Sequence, residues 1–314
     1  MIVSISRRTD VPAYYSDWLF RRLREGYALV RNPVNPRQVS RVGLRPEEVD
    51  GLVFWTKNPL PLLDRLKELD AYSYYVQFTL TAYGRDVEPR IPAKGSVLVP
   101  AFQRLAQRLG PERVIWRYDP IFLSRRYTMG YHLRYFEVLA HRLAPYTRRC
   151  TISFLDYYRN TARNMAALEM TTWLPGQREE LAAGLAASAE RFGLALDTCA
   201  EALDLSPLGV GRAKCVDAGL LGRLSGRPLT TARDKHQRPA CGCASSVDIG
   251  AYRSCPGGCL YCYASPNPRA ALRGRETHHP DSPLLLGTLR DGDVVRDRRD
   301  ALQDGQLLIG DLLH

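Results

Sequence analysis

The chain has 314 residues, 45% hydrophobic and 25% charged, a balance that suits a folded globular protein and excludes a fibrous or wholly disordered one. A net charge of +11 and a pI near 9.4 favour a polyanionic partner, although arginine pairs such as Arg21-Arg22, Arg125-Arg126 and Arg148-Arg149 suit solvated helix faces as well. No apolar run approaches the roughly 18 residues of a membrane span. Met1-Ile-Val-Ser-Ile5 leads directly into polar Ser6 to Asp10, so a cytoplasmic location without a membrane partner is expected. In a reducing compartment the eight cysteines are better explained by metal ligation than by disulfides.

Short β-rich runs alternate with segments whose apolar residues recur every three or four positions, the pattern of a parallel sheet wound with helices. Ile2 to Ser6 is the first expected strand. A helix follows from about Asp17, with Ser16 as N-cap, Trp18, Leu19, Phe20 and Leu23 on one side, and Gly26 as its stop. Leu52 to Trp55 is the second strand, and Asn58-Pro59 opens a helix striped by Leu62, Leu63, Leu66 and Leu69. Tyr74 to Leu80 is the third strand. A helix through Phe102, Leu105 and Leu109 stops at Gly110, Arg113 to Arg117 is the fourth strand, and Thr151 to Leu155 the fifth. A helix through Leu181, Leu185 and Phe192 ends at Gly193, and Leu194 to Leu196 begins a sixth strand that delivers Cys199 and Glu201. Such units imply an α/β fold, a (β/α) barrel of about six to eight strands. The expected organisation is a barrel core over 1–200, a cysteine-rich segment over 201–265 that completes its mouth, and a Pro-, Gly- and Arg-rich wrapping extension over 266–314.

Polar residues follow the strands: Arg7 to Asp10 after the first, Thr56, Lys57 and Asn58 after the second, Thr79 and Thr81 at the third, Arg117 and Asp119 at the fourth, and Asp156 at the fifth. In a barrel the loops leaving the carboxyl ends of the strands converge on one mouth. Each of these residues taken singly has a structural explanation as a cap or turn former. Tyr14, Tyr15, Tyr118, Tyr157 and Tyr158 are candidate wall residues of the same cavity.

The cysteines carry the chemistry. Cys255-Pro-Gly-Gly-Cys259-Leu-Tyr261-Cys262 spaces three thiols so that they suit three corners of a 4Fe-4S cluster and leave one iron open. Zinc is the alternative, although it prefers four N or S ligands in closed structural sites. Cys199, Cys215, Cys241 and Cys243 make a second set of four, enough for a closed auxiliary cluster, a zinc site, or simply scattered buried thiols. Cys150, inside an apolar run, reads as a small hydrophobe.

The loop from Cys255 to Ala264, with Tyr261 before its last cysteine, resembles the cluster loop of radical S-adenosylmethionine (SAM) proteins and is similar to loops in the spore photoproduct lyase group. Ser6-Arg-Arg-Thr-Asp10, Phe54-Trp-Thr-Lys-Asn-Pro59, Trp116-Arg-Tyr-Asp-Pro120, Thr198-Cys-Ala-Glu201, Asp234-Lys-His-Gln-Arg238 and Cys241-Gly-Cys243, in that order, resemble the domain of unknown function 1848 family (DUF1848) from Met1 to about Leu313. The radical SAM resemblance implies SAM as cofactor and Cys255, Cys259 and Cys262 as the catalytic cluster ligands. It also implies reductive cleavage to a 5'-deoxyadenosyl radical that abstracts hydrogen from a substrate, fed by a donor such as ferredoxin or flavodoxin. The substrate reading leans to nucleic acid. Ordinary radical SAM domains carry this loop after their first strand, a departure that a circular permutation reconciles if Ser246 to Tyr252 takes the first-strand place beside Ile2 to Ser6. On that mapping Asp10 and Arg7 meet the amino end of SAM, while Thr79, Thr81, Arg117 and Asp119 meet its ribose and carboxylate. The alternatives from other classes are a non-catalytic iron–sulfur electron-transfer protein and a zinc-stapled nucleic-acid-binding module.

Overall fold

Apolar runs such as Leu52-Val-Phe-Trp55, and Ile2-Val-Ser-Ile5 with the hydroxyl of Ser4 hydrogen-bonded to Asp248, have no alternating polar face to offer water, so they become strands covered on both sides. The computed structural model describes residues 1–156, 159–235 and 237–298. The first half runs β1 (Ile2–Ile5), α1 (Val11–Tyr14), α2 (Ser16–Glu25), β2 (Tyr27–Arg31), β3 (Gln38–Gly43), β4 (Gly51–Thr56), α3 (Leu60–Leu63), β5 (Tyr74–Thr79), α4 (Val99–Leu109) and β6 (Val114–Ile121). It continues with α5 (Met129–Leu143), β7 (Arg149–Phe154), α6 (Ala162–Met165), α7 (Gln177–Arg191), β8 (Ala195–Thr198) and β9 (Gly211–Arg212). The last described elements are α8 (Ala218–Ser225), β10 (Val247–Asp248), α9 (Pro268–Glu276) and β11 (Val294–Asp297).

Eight of these strands form one parallel sheet in the order β10-β1-β4-β5-β6-β7-β8-β9. All six strands expected from the sequence lie in it, and β10 adds the neighbour expected for β1, with Val3 opposite Val247 and Ser4 opposite Asp248. The recorded order ends at β10 and β9, so the architecture stands as an eight-stranded parallel α/β sheet. Trp18, Trp116, Phe54, Phe78 and Phe102 are fully enclosed in the core.

Local signals mostly hold. Gly26 ends α2 at φ 77° and Gly110 ends α4 at φ 88°, backbone conformations that favour glycine. Ser16 is a correction: it is the first residue of α2, with Tyr15 in the cap position, because its hydroxyl instead donates to Pro12 O at 2.7 Å and joins α2 to α1. Asn58 supports α3 from one residue before the cap, its Oδ1 accepting from Leu60 N at 3.3 Å.

A second, three-stranded sheet, β11-β3-β2, was not expected. It stands beside α2, and the chain after residue 280 closes against this corner. Trp18 Nε1 donates to Ser282 O at 2.8 Å, and Arg31 grips Asp293 through two hydrogen bonds of 2.7 Å. Residues 299–314 of the expected extension lie outside the described residues. Among the described residues no helix is long and apolar enough to cross a membrane.

Candidate functional site

The loops leaving the carboxyl ends of β1, β4, β5, β6, β7 and β8 surround a cavity of about 330 Å³. All seven cysteines of the two sets line it: Cys255, Cys259 and Cys262 from the loop after β10, and Cys199, Cys215, Cys241 and Cys243 from the segments after β8 and β9. Sequence reasoning left the two sets as separate sites, and the fold brings them to one chamber. Cys150 is apart, enclosed in the core as expected.

The loop after β1 is fixed by Asp248 of β10. This carboxylate accepts from Arg7 N at 2.8 Å, Ser4 Oγ at 3.0 Å, Gly250 N at 2.9 Å and from Ser6 Oγ. The carboxylate of Asp10 is equally engaged: Oδ1 accepts from Ala13 N at 3.0 Å and caps α1, while Oδ2 accepts from Lys57 N at 2.7 Å. Burial pushes its carboxyl up to about 6 despite these donors. Asp10 N points at Cys255 Sγ, which also accepts from Gly257 N, and Cys262 Sγ accepts from the backbone N–H groups of Ala264 and Ser265. Burial, with Cys262 beside it, still pushes the Cys255 thiol up to about 12.

The four-thiol set is a contact chain. Cys199 Sγ lies 3.1 Å from Cys215 Sγ, Cys215 meets Cys243, and Cys243 meets Cys241, whose thiol this contact holds down at about 7. Arg117, buried on β6, donates through Nη1 to Cys215 Sγ at 2.9 Å and through Nη2 to Asp119 Oδ2 at 2.6 Å. Asp119 also accepts from Ser153 Oγ. The Ile5-Ser6 and Asp119-Pro120 peptide bonds, both on the cavity rim, are cis.

Of the expected cofactor contacts, Arg7, Asp10, Thr79, Arg117 and Asp119 line the cavity. Thr81 does not; its hydroxyl is turned to Glu88, 3.1 Å from both carboxylate oxygens. Arg117 and Asp119 stand with the four-thiol set. Tyr14 lines the cavity, whereas Tyr15 donates to Ser254 O at 2.7 Å, and Tyr118 lies in the core against His132 Nδ1 at 3.0 Å. Tyr157 and Tyr158 lie outside the described residues.

Glu88 is the site residue that sequence reasoning missed. Its fully enclosed carboxylate accepts from Lys57 Nζ at 2.8 Å, from Lys94 Nζ and from Tyr261 OH. Burial alone would raise this carboxyl, yet the two ammonium groups hold it down at about 2. Lys57 was visible in the post-strand motif, but Glu88 sits in the aperiodic run Asp86-Val-Glu-Pro-Arg90, which carries no pattern to single it out.

Among the described residues no three His, Cys, Asp or Glu side chains converge on a single-ion position. The donor chemistry nevertheless fits a sulfur-bridged cluster: three clustered thiols receive backbone N–H groups on Cys255 and Cys262, the kind of hydrogen bond that tunes a thiolate-bound iron centre. A cuboidal cluster takes one thiolate per iron corner and so accepts sulfurs spread wider than one ion does. No curated protein and no solved structure matches the chain. The ordered motifs around this chamber do have a counterpart, ending at Ala264 and not at Leu313 as the motif order suggested: over residues 2–264 the chain belongs to the family described as Domain of unknown function (DUF1848).

Proposed function

We propose that this protein is an iron–sulfur enzyme of the radical SAM type, in which Cys255, Cys259 and Cys262 hold a 4Fe-4S cluster with one open iron. The observation that carries the reading is the convergence of this loop and the four-thiol set on one cavity at the carboxyl ends of a parallel sheet. When bound, the cluster and SAM supply one-electron cleavage of the sulfonium to a 5'-deoxyadenosyl radical, with the electron taken from a donor such as ferredoxin or flavodoxin. The chain's own residues bind, orient and shield. Asp10 stands on the wall beside Cys255, where a circularly permuted barrel would place the amino end of SAM, while Arg7 lines the same cavity nearer Cys243. The parallel pairing of β10 with β1 supports that permutation, because it sets the strand that precedes the cysteine loop next to the strand that opens the chain. Thr79 is the candidate ribose contact. Arg117 and Asp119 we reassign to the four-thiol set, which with all four corners filled would hold a closed auxiliary cluster. Trp55, Tyr14 and Tyr261 line the chamber with rings that would help shield a reactive intermediate from water.

An electron carrier needs no chamber of this size beside its cluster, and a zinc module needs no three-thiol loop. The substrate lean to nucleic acid rests on net charge and the loop resemblance alone.

The test is anaerobic reconstitution of the full chain with iron and sulfide, followed by metal analysis, electron paramagnetic resonance (EPR) of the reduced sample with and without SAM, and an assay for 5'-deoxyadenosine. About eight irons per chain, a signal perturbed by SAM and deoxyadenosine release are expected. Cys259→Ala should keep the fold and lose SAM cleavage. Zinc in place of iron, or an iron signal indifferent to SAM, overturns the reading.

A further inference from the structure

Glu88 gathers two ammonium groups around one carboxylate, so the Lys57–Glu88–Lys94 group keeps one positive charge in excess. Its setting is nearly dry, with the carboxylate side chain 0% exposed and the two lysines 15% and 19%. The remaining partners of Glu88, Thr81 and Tyr261, are neutral hydroxyls and cancel nothing. A buried surplus charge is costly unless an anion faces it. Asp119 is near Lys57 but is already matched by Arg117 at 2.6 Å. Asp10 also faces Lys57, but its two carboxylate oxygens are taken up by the backbone N–H groups of Ala13 and Lys57, which leaves the cysteine loop as the other neighbour on the cavity side. Lys57 lines the cavity with Cys259, and its Nζ lies 5.6 Å from the Tyr261 ring centre. The loop is also fastened to the Glu88 segment through Leu260 N to Val87 O at 3.0 Å and Tyr261 OH to Glu88.

We infer that Lys57, Glu88 and Lys94 form a buried cationic platform that positions the Cys259 loop and stabilises the negative charge of the iron–sulfur centre on Cys255, Cys259 and Cys262. The inference rests on the functional reading above and adds to it the residues that set the potential of the centre. An iron–sulfur centre on thiolates is more negative after it takes an electron, so a fixed cation beside it makes reduction easier. Lys57 and Lys94 are positioning residues in this scheme, and Glu88 keeps both charged and in place.

The experiment compares the full-length parent with Lys57→Met, Lys94→Met and Lys57→Arg, each reconstituted anaerobically with iron and sulfide and studied without SAM. The readouts are iron content and midpoint potential from an EPR-monitored dithionite titration, with the signal of this centre identified by its loss in Cys259→Ala. Both methionine variants are expected to hold parental iron and to show a more negative midpoint, while Lys57→Arg stays at the parental value. If Lys57→Met fails to fold, Lys94→Met, which does not line the cavity, decides alone. Parental midpoints in the methionine variants, or a shift in Lys57→Arg as large as in Lys57→Met, overturn the inference and leave the functional reading standing. A parent that takes up no iron overturns both.

Discussion

Polar residues sealed into a dry interior declare their protonation state through their neighbours. His132 on α5 is enclosed, with Nε2 2.9 Å from Phe122 O and Nδ1 3.0 Å from Tyr118 OH. A carbonyl can only accept, so Nε2 carries the proton and Nδ1 accepts from the phenol. Burial lowers this imidazole from 6.5 to about 4, even though the Phe122 carbonyl favours the charged form. A base whose folded value is depressed contributes stability that is complete above about 6.5 and is lost as pH falls through about 4, worth on the order of 3 kcal/mol once lost. Imidazole nitrogen shifts should therefore report a neutral Nε2–H ring at pH 5, and replacing His132 with Gln should flatten the stability slope between these limits; an ordinary midpoint near 6.5 would refute the assignment. Arg117 shows the same logic for a cation: enclosed between a thiol and a carboxylate, it was legible in the sequence as a site residue, but nothing in Trp116-Arg-Tyr-Asp-Pro120 could say which of its two partners it would serve.

At the level of elements, the strands with continuous apolar sequence could be read directly, because a strand buried on both faces needs no alternation to be recognised. β2 and β3 escaped because Arg31 and Arg41 break up their apolar runs, and both arginines are used in ion pairs with the end of the chain, Arg31 on Asp293 and Arg41 against Asp297. β9 and β10, two residues each, are too short for any periodicity and exist only through their neighbours. β10 in particular depends on close approach at Gly250. A Cβ there would stand 2.6 Å from Ser6 Cβ, so Gly250→Ala should push Ser6 off Asp248 and cost about 1–3 kcal/mol in urea denaturation. Gly242→Ala is the control, since its Cβ meets nothing closer than Lys214 Cγ at 3.4 Å and stability should stay near parental. Equal losses in the two variants would remove the argument for a tight β10–β1 seam.

For the whole molecule, the family match stops at residue 264, but the packing does not. Past that point the chain accepts a hydrogen bond from the indole of Trp18, bridges Leu29 through Leu284, pairs β11 with β3 and supplies Asp293 to Arg31. A chain ended at Ala264 should consequently melt at lower temperature than the parent and show red-shifted tryptophan emission as Trp18 meets water; unchanged melting and emission would make the later segment a passive appendage. The pairing of Ser4 with Asp248 across 244 positions has a consequence for biogenesis. β1 is synthesised long before β10, so one of its flanks stays unpaired while the strands between them are made, and the seven chamber thiols all follow β8, from Cys199 to Cys262. If the chamber holds the cluster proposed above, loading must follow synthesis of β1 to β8, because a product truncated before Cys199 would carry none of the seven chamber thiols.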